Sequence, residues 1–85
     1  MKNPFVEIRQ NLGLPVETFA RKLRITPEYL MQLEAGKAKK LPAHFLRELK
    51  AAGYNHREIN RQYDNYRNAL ATKILMEVHR NGNKL

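Results

Sequence analysis

Apolar residues recur along the chain at steps of three and four, and Gly and Pro divide this recurrence into five segments. Such spacing places the apolar side chains of a segment on one face of an α-helix. No stretch alternates apolar and polar residues for long enough to predict a strand. The pattern therefore predicts an all-α domain with five helices.

The first three predicted helices are short and well punctuated. Asn3 caps the first helix, which ends at Gly13. The second helix covers roughly residues 15–23, and the third runs from its cap Thr26 to Gly36. The apolar residues that face inward from these helices are Phe5, Ile8, Leu12, Phe19, Ala20, Leu23, Leu30 and Leu33.

The last two predicted helices differ in length. Pro42 opens a short fourth helix, whereas Asn55, with Glu58 three residues later, gives a capping-box start to a long fifth helix. At about 1.5 Å per residue, ~25 residues span roughly 37 Å, which is long for so small a domain. We therefore expect a domain over residues 1–53, a C-terminal helix over 54–80 and a flexible tail over 81–85.

The charge of the chain points to a polyanionic partner. Sixteen Lys and Arg against eight Asp and Glu give a formal net charge of +8 on 85 residues. An excess of that size favours nucleic acid or an anionic membrane surface. The chain is also too short for two separately folded domains, because each would bury too little apolar surface.

The absence of certain residue types from the sequence argues against several function classes. Without Cys there is no disulfide scaffold, thiolate nucleophile or Cys-based zinc site. Without Ser, no set of nucleophile, base and orienting residue for an enzyme is recognisable. The three His residues lack metal-ligand spacing, so neither a metal nor another cofactor is expected. The longest apolar run, residues 74–76, predicts no membrane span, and with no visible signal peptide we expect a cytoplasmic protein.

Residues 12–36 carry the motif with functional content. Two short helices are joined by a tight turn, with the small residue Ala20 where they cross, and this describes a helix-turn-helix. The residues at matching spacing are Leu12, Gly13, Leu14, Ala20, Leu23, Thr26, Leu30, Leu33, Glu34, Gly36 and Lys37. Over residues 5 to about 53 the chain resembles the lambdoid phage repressor and Cro family of XRE-like helix-turn-helix regulators. The resemblance implies a lambda-repressor-like fold whose third helix enters the major groove of double-stranded DNA.

The sequence departs from the usual pattern of that family at three places. Pro15 and Val16 stand where the family commonly has Ser or Asn followed by Gln, and that Gln often touches DNA. Arg24 stands in the turn where the family often has Gly, and a left-handed Arg24 would cost about 1 kcal/mol. The long last helix is not the usual family ending.

The resemblance implies base contacts for residues of the third helix. The family's base-reading positions fall on Pro27, Glu28 and Gln32, and Tyr29 lies beside them. Gln32 can bond N6 and N7 of adenine together, and Glu28 can accept from N4 of cytosine. Pro27 and Glu28 are also ordinary helix-start residues, so a purely structural role stays open for both.

The resemblance also implies phosphate contacts and one structural pair. Lys37, Lys39 and Lys40 follow the third helix and suit phosphate, although a solvated loop is the alternative. Arg9 and Arg21 are further phosphate candidates. The family's pair of a first-helix Arg and a Glu after the recognition helix falls on Arg9 and Glu34, which would tie the two helices together.

The second half of the last helix predicts an assembly. It carries more apolar residues than a core of this size can cover, and uncovered apolar surface usually marks an interface. We expect a homodimer, and hence a pseudo-palindromic DNA site, while a monomer with the helix folded back is the alternative. The expected interface residues are Leu70, Ile74, Leu75 and Val78.

Several functions remain open at this point, because a fold does not decide among them. The first is a sequence-specific double-stranded DNA-binding protein, acting as a small phage- or plasmid-type transcriptional regulator, such as a repressor, without catalysis. The second is an antitoxin or other protein-interaction module on the same scaffold. A DNA accessory factor in replication or conjugation would share the binding physics of the first.

Overall fold

The structure is a computed structural model that describes the backbone of residues 2–82 and the side chains of residues 2–74. The described residues form five α-helices and no strand, so the predicted all-α class and the long C-terminal helix are confirmed. Within that range no helix combines the length and the apolarity needed to cross a membrane. The helices are α1 Pro4–Leu12, α2 Val16–Leu23, α3 Pro27–Glu34, α4 Ala43–Ala51 and α5 His56–Gly82.

Side-chain caps fix where three of the helices begin. Asn3 Oδ1 accepts from the backbone N–H of Phe5 at 2.9 Å at the start of α1. Thr26 Oγ1 accepts from the N–H of Tyr29 at 3.1 Å at the start of α3. Asn55 does the same for α5. Each cap satisfies an N–H group that has no partner within its helix, so these starts agree with the sequence.

Other boundaries differ slightly from the prediction. Pro15 and Pro42 precede α2 and α4 as extended caps without a side-chain hydrogen bond, so each helix starts one residue later than expected. At the other end α5 includes residues 81 and 82, which the sequence analysis assigned to a tail. The rest of that predicted tail, residues 83–85, lies outside the described residues.

The core takes residues from all five helices. Phe5 of α1 stacks on Phe45 of α4, with ring centroids 5.9 Å apart, and meets the edge of Tyr63 of α5 at 5.5 Å. Tyr63 is fully buried and Ile59, one turn earlier, is nearly so. The start of α5 therefore belongs to the same core, which crosses the boundary expected at residue 53. The other buried apolar residues are Phe19, Ala20, Leu23, Leu30, Leu33, Ala38, Leu41 and Leu49.

α5 also packs on the backbone just after α3. Gly36 has a φ of +73°, and a Cβ atom built there would lie 2.9 Å from a ring carbon of Tyr66 and 3.2 Å from Leu70. Both the left-handed backbone and the close approach call for Gly at this position. The C-terminal helix therefore contacts the segment that directly follows α3.

The turn between α2 and α3 contains a left-handed residue that is not Gly. Arg24 has φ 60° and ψ 41°, and no other non-Gly residue with positive φ occurs in the described part of the chain. Its side chain is 78% exposed and lies 3.7 Å from Glu48, so the contact contributes little. The strain that the sequence predicted at this position is thus present, without a strong side-chain interaction to offset it.

We predict that Arg24→Gly stabilises the protein. Gly adopts the left-handed conformation without the cost of about 1–2 kcal/mol that a residue with a Cβ atom has. It also makes the unfolded chain more flexible, which lowers the free energy of unfolding by about 0.5–1 kcal/mol. The net gain of roughly 0.5–1 kcal/mol should raise Tm by about 2–8 °C in thermal unfolding followed by circular dichroism. Arg24→Ala is the control, since it loses the same Glu48 contact but keeps the strain. Equal Tm values for the two variants would contradict this explanation.

Candidate nucleic-acid interface

α3 presents one face to the core and the opposite face to solvent. Leu30 and Leu33 are fully buried against the other helices. The exposed residues follow at steps of three and four, and a shallow groove runs along them toward Lys37. We call this surface the α3 outer face, and it consists of Glu28, Met31, Gln32 and Ala35. A helix held in this way, after a tight turn from α2, is available for the major groove of DNA.

The structure separates the predicted base-reading residues. Glu28 and Gln32 lie on the α3 outer face, and Pro27 is half-buried at the first position of the helix. Tyr29 turns inward, where its ring meets Phe45 edge-on with centroids 6.0 Å apart. Its hydroxyl is buried without a hydrogen-bond partner in the described residues, and burial raises its pKa. Its polar atom thus faces the domain interior, unlike the exposed groups of Glu28 and Gln32, and a base contact by Tyr29 stays a prediction.

Sequence reasoning missed Met31. Its side chain is 60% exposed between Glu28 and Gln32. The signal was present in the spacing, because Leu30 and Leu33 define the inner face and Met31 falls off it. An exposed thioether chain in this place gives the α3 outer face an apolar centre.

The predicted phosphate residues other than Arg9 lie on the segments before and after α3, and Lys37 lines the groove of the α3 outer face. Lys37, Lys39 and Lys40 are all exposed in the segment between α3 and α4, which we call the lysine loop, residues 37–40. The loop starts at a fixed point, because the N–H of Lys37 donates to the carbonyl of Gln32 at 2.9 Å. Arg21 is exposed on α2.

Arg9 has a different role from that of a free phosphate ligand. Its Nε and Nη2 donate to the two carboxylate oxygens of Glu34 at 2.8 and 2.9 Å, and Nη1 donates to the carbonyl of Leu14 at 3.1 Å. The hydrogen bond to Glu34 raises the pKa of Arg9. The structure thus brings Arg9 and Glu34 together as a bidentate pair. Three of the five N–H groups of Arg9 thus donate within the protein, and a phosphate contact through the other two stays a prediction.

Asn3 also reaches the end of α3. Its Nδ2 donates to the carbonyls of Leu33 and Glu34 at 2.7 and 3.2 Å, while its Oδ1 caps α1. The sequence predicted only the cap. A single nearly buried amide therefore joins the start of α1 to the end of the recognition helix.

The predicted dimer residues fall partly outside the described side chains. Leu70 is half-buried against Gly36, whereas Ile74 is 52% exposed. Leu75 and Val78 lie outside the residues whose side chains the structure describes. The described part of α5 thus changes from covered to uncovered apolar positions as it leaves the domain.

The surface offers the chemistry of recognition. The α3 outer face supplies a carboxylate acceptor, an amide that both donates and accepts, and apolar atoms. Three exposed ammonium groups follow it in the chain, on the lysine loop. Within residues 2–74 no cluster of three or more His, Cys, Asp or Glu could hold a metal ion. Base edges and phosphates are the partners that match such groups.

Comparison with known proteins gives a family but no individual relative. Searches of curated proteins and of solved structures found no significant match. A family model described as "Helix-turn-helix domain" matches residues 5–49, which is more than half of the chain. The match covers α2, α3, the strained turn between them and the α3 outer face. On these grounds the chain belongs to the helix-turn-helix domain family.

Proposed function

We propose that the protein is a sequence-specific double-stranded DNA-binding regulator of phage or plasmid type, which acts by occupying its site and performs no catalysis. The observation that supports this proposal most strongly is the α3 outer face, a set of exposed side chains on a helix whose Leu30 and Leu33 are fully buried on the other side. The net charge of +8 agrees with a polyanionic partner. With DNA as the partner, the proposed place of action is the cytoplasm.

Within this proposal the α3 outer face supplies the sequence-dependent contacts. Gln32 reads adenine through N6 and N7, and Glu28 accepts from N4 of cytosine. Met31 lies between them and contacts the methyl group of thymine. Pro27, at the start of the helix, has no backbone N–H to offer and adds only apolar contact.

The cationic residues around that face supply the sequence-independent contacts. Exposed cationic residues occur on α2 and on the loop after α3. They are Arg21, Lys37, Lys39 and Lys40. Contacts of this kind position a protein on the duplex and make its affinity depend on salt. They account for affinity, while the α3 outer face accounts for the choice of site.

We further propose that the protein acts as a homodimer through the second half of α5. Ile74 is a large apolar residue with half of its surface in water, and Leu70 precedes it by one helical turn. Two-fold pairing along the face of Leu70 and Ile74 buries the same residues of both copies. It also sets two recognition helices about 34 Å apart, which requires a pseudo-palindromic site.

The exposed part of α5 also supports a second candidate function. An apolar helix face that leaves the domain suits a different protein as well as a second copy. In an antitoxin the helix would neutralise a partner protein while the domain still binds DNA. A DNA accessory factor would use the α3 outer face in the same way. The oligomeric state of the isolated protein separates the homodimer from the other arrangements.

We predict that Gln32→Ala relaxes discrimination at one base pair. Losing a bidentate contact to adenine should cost about 1–3 kcal/mol on the preferred site and little on other sequences. Binding titrations on the preferred duplex and on its single-base variants measure this. Gln10→Ala, an exposed Gln on α1, is the matched control and should leave the profile unchanged. An unaltered preference profile in Gln32→Ala would show that α3 does not read bases through this residue.

We predict that Ile74→Glu converts the dimer to monomer. A charge in the apolar seam should abolish pairing and weaken binding to the full site far more than to a half-site. Sedimentation of wild type and variant measures the change. Thr72→Glu is the control, because it adds the same charge at an exposed position on the other side of α5. A wild-type monomer at tens of micromolar, about the weak end of specific association, contradicts the dimer.

A further inference from the structure

Side chains of α5 donate hydrogen bonds to backbone carbonyls of the lysine loop and of Gly36 just before it. Tyr63 Oη donates to the carbonyl of Ala38 at 2.6 Å. Arg67 Nε donates to the carbonyl of Gly36 at 3.1 Å, and its Nη1 donates to the carbonyl of Lys39 at 2.6 Å. Two side chains one helical turn apart thus bind three carbonyls within four successive residues.

These hydrogen bonds place the bonded backbone carbonyls and the lysine side chains on opposite sides of the loop. Gly36 and Ala38 are buried against α5, whereas the side chains of Lys37, Lys39 and Lys40 are exposed. The carbonyls of residues 36, 38 and 39 therefore face the protein while the ammonium groups face solvent. The N–H of Lys37 is tied to Gln32 of α3 at the same time. The start of the loop is thereby fixed relative to the α3 outer face.

Both donors are suited to a lasting contact. Tyr63 is fully buried, and its ring edge packs on Phe5. Burial raises the pKa of Tyr63 to about 12, so its hydroxyl remains a donor at any physiological pH. The guanidinium group of Arg67 makes charge-assisted hydrogen bonds, which are stronger than neutral ones. The absence of a side chain at Gly36 lets α5 come close enough for these contacts.

We propose that Tyr63 and Arg67 are positioning residues for DNA binding, which hold the lysine loop so that its ammonium groups meet the phosphate backbone in register with the α3 outer face. This inference rests on the proposed function. Neither residue needs to touch DNA. By ordering the loop before binding, α5 lowers the entropy that would otherwise be lost on binding DNA.

A double-mutant cycle tests whether Tyr63 acts through the lysines. The reference change is Lys37→Ala, Lys39→Ala and Lys40→Ala together. If all three contact phosphate, it should weaken binding to every duplex alike and flatten the log–log salt dependence by about 3. Tyr63→Phe removes one hydrogen-bond donor and no charge. Alone it should weaken binding about three- to tenfold on every duplex, the effect of one typical hydrogen bond.

The decisive comparison is Tyr63→Phe in the background that lacks the three lysines. There we expect no further loss, because the loop has no ammonium groups left to position. The same factor of loss in both backgrounds would overturn the inference. Amide hydrogen exchange of the free protein adds a readout without DNA. Exchange at residues 36–40 should quicken in Tyr63→Phe while that of α1 stays unchanged, and unchanged loop exchange would also overturn it.

Arg67→Gln provides a second variant, with a charge-matched control. Arg61→Gln removes the same charge from α5, but Arg61 pairs with Glu58 and is exposed. Arg67→Gln should weaken binding more than Arg61→Gln does, and the excess should disappear in the lysine-free background. Equal losses would mean that Arg67 acts only by its charge, which overturns the positioning role.

The outcomes also separate this inference from the function on which it rests. A wild-type protein that binds no duplex, even at low salt, overturns the proposed function itself. A wild-type protein that binds DNA, with Tyr63→Phe and lysine effects that simply add, overturns the positioning role and leaves the DNA-binding proposal intact.

Discussion

The rest of the structure depends on how the C-terminal end of α3 is held. The last carbonyls of a helix lack donors within the helix, yet here each one has a partner. Met31 and Gln32 accept from the N–H groups of Ala35 and Lys37, and Leu33 accepts from that of Gly36. Asn3 covers Leu33 and Glu34, and Arg9 holds the Glu34 carboxylate. Because its C-terminal end and its inner face are fixed, α3 keeps its orientation although its outer face is exposed to solvent.

α5 fixes the segment after α3 in the same way, through hydrogen bonds to its backbone carbonyls. One helix completes the core with Tyr63, fixes the lysine loop with Tyr63 and Arg67, and then carries Ile74 out into solvent. In the proposed function these roles are linked, since a partner bound at the far half of α5 acts on the helix that orders the phosphate-binding loop. In the proposed function, core packing, positioning of the lysine loop and assembly thus all depend on α5.

Sequence patterns predicted the elements better than their contacts. Apolar spacing and caps such as Asn3 and Thr26 are local signals, and they predicted five helices with boundaries close to those observed. The meeting of Arg9 and Glu34 was expected only through a family resemblance. The inward turn of Tyr29 depends on space beside Phe45, which no local pattern shows. Tyr63 and Arg67 bind backbone carbonyls 25 to 31 residues away, and a carbonyl acceptor has no residue type that a sequence could reveal.

Selection of bound duplexes from a random pool, by the unmodified protein at physiological salt, shows whether the α3 outer face reads double-stranded DNA. We predict enrichment of one motif with two inverted half-sites, whose centres lie about one helical turn, 10–10.5 base pairs, apart. Recovery of a random pool after repeated rounds, from a protein that is folded and helical, would contradict it.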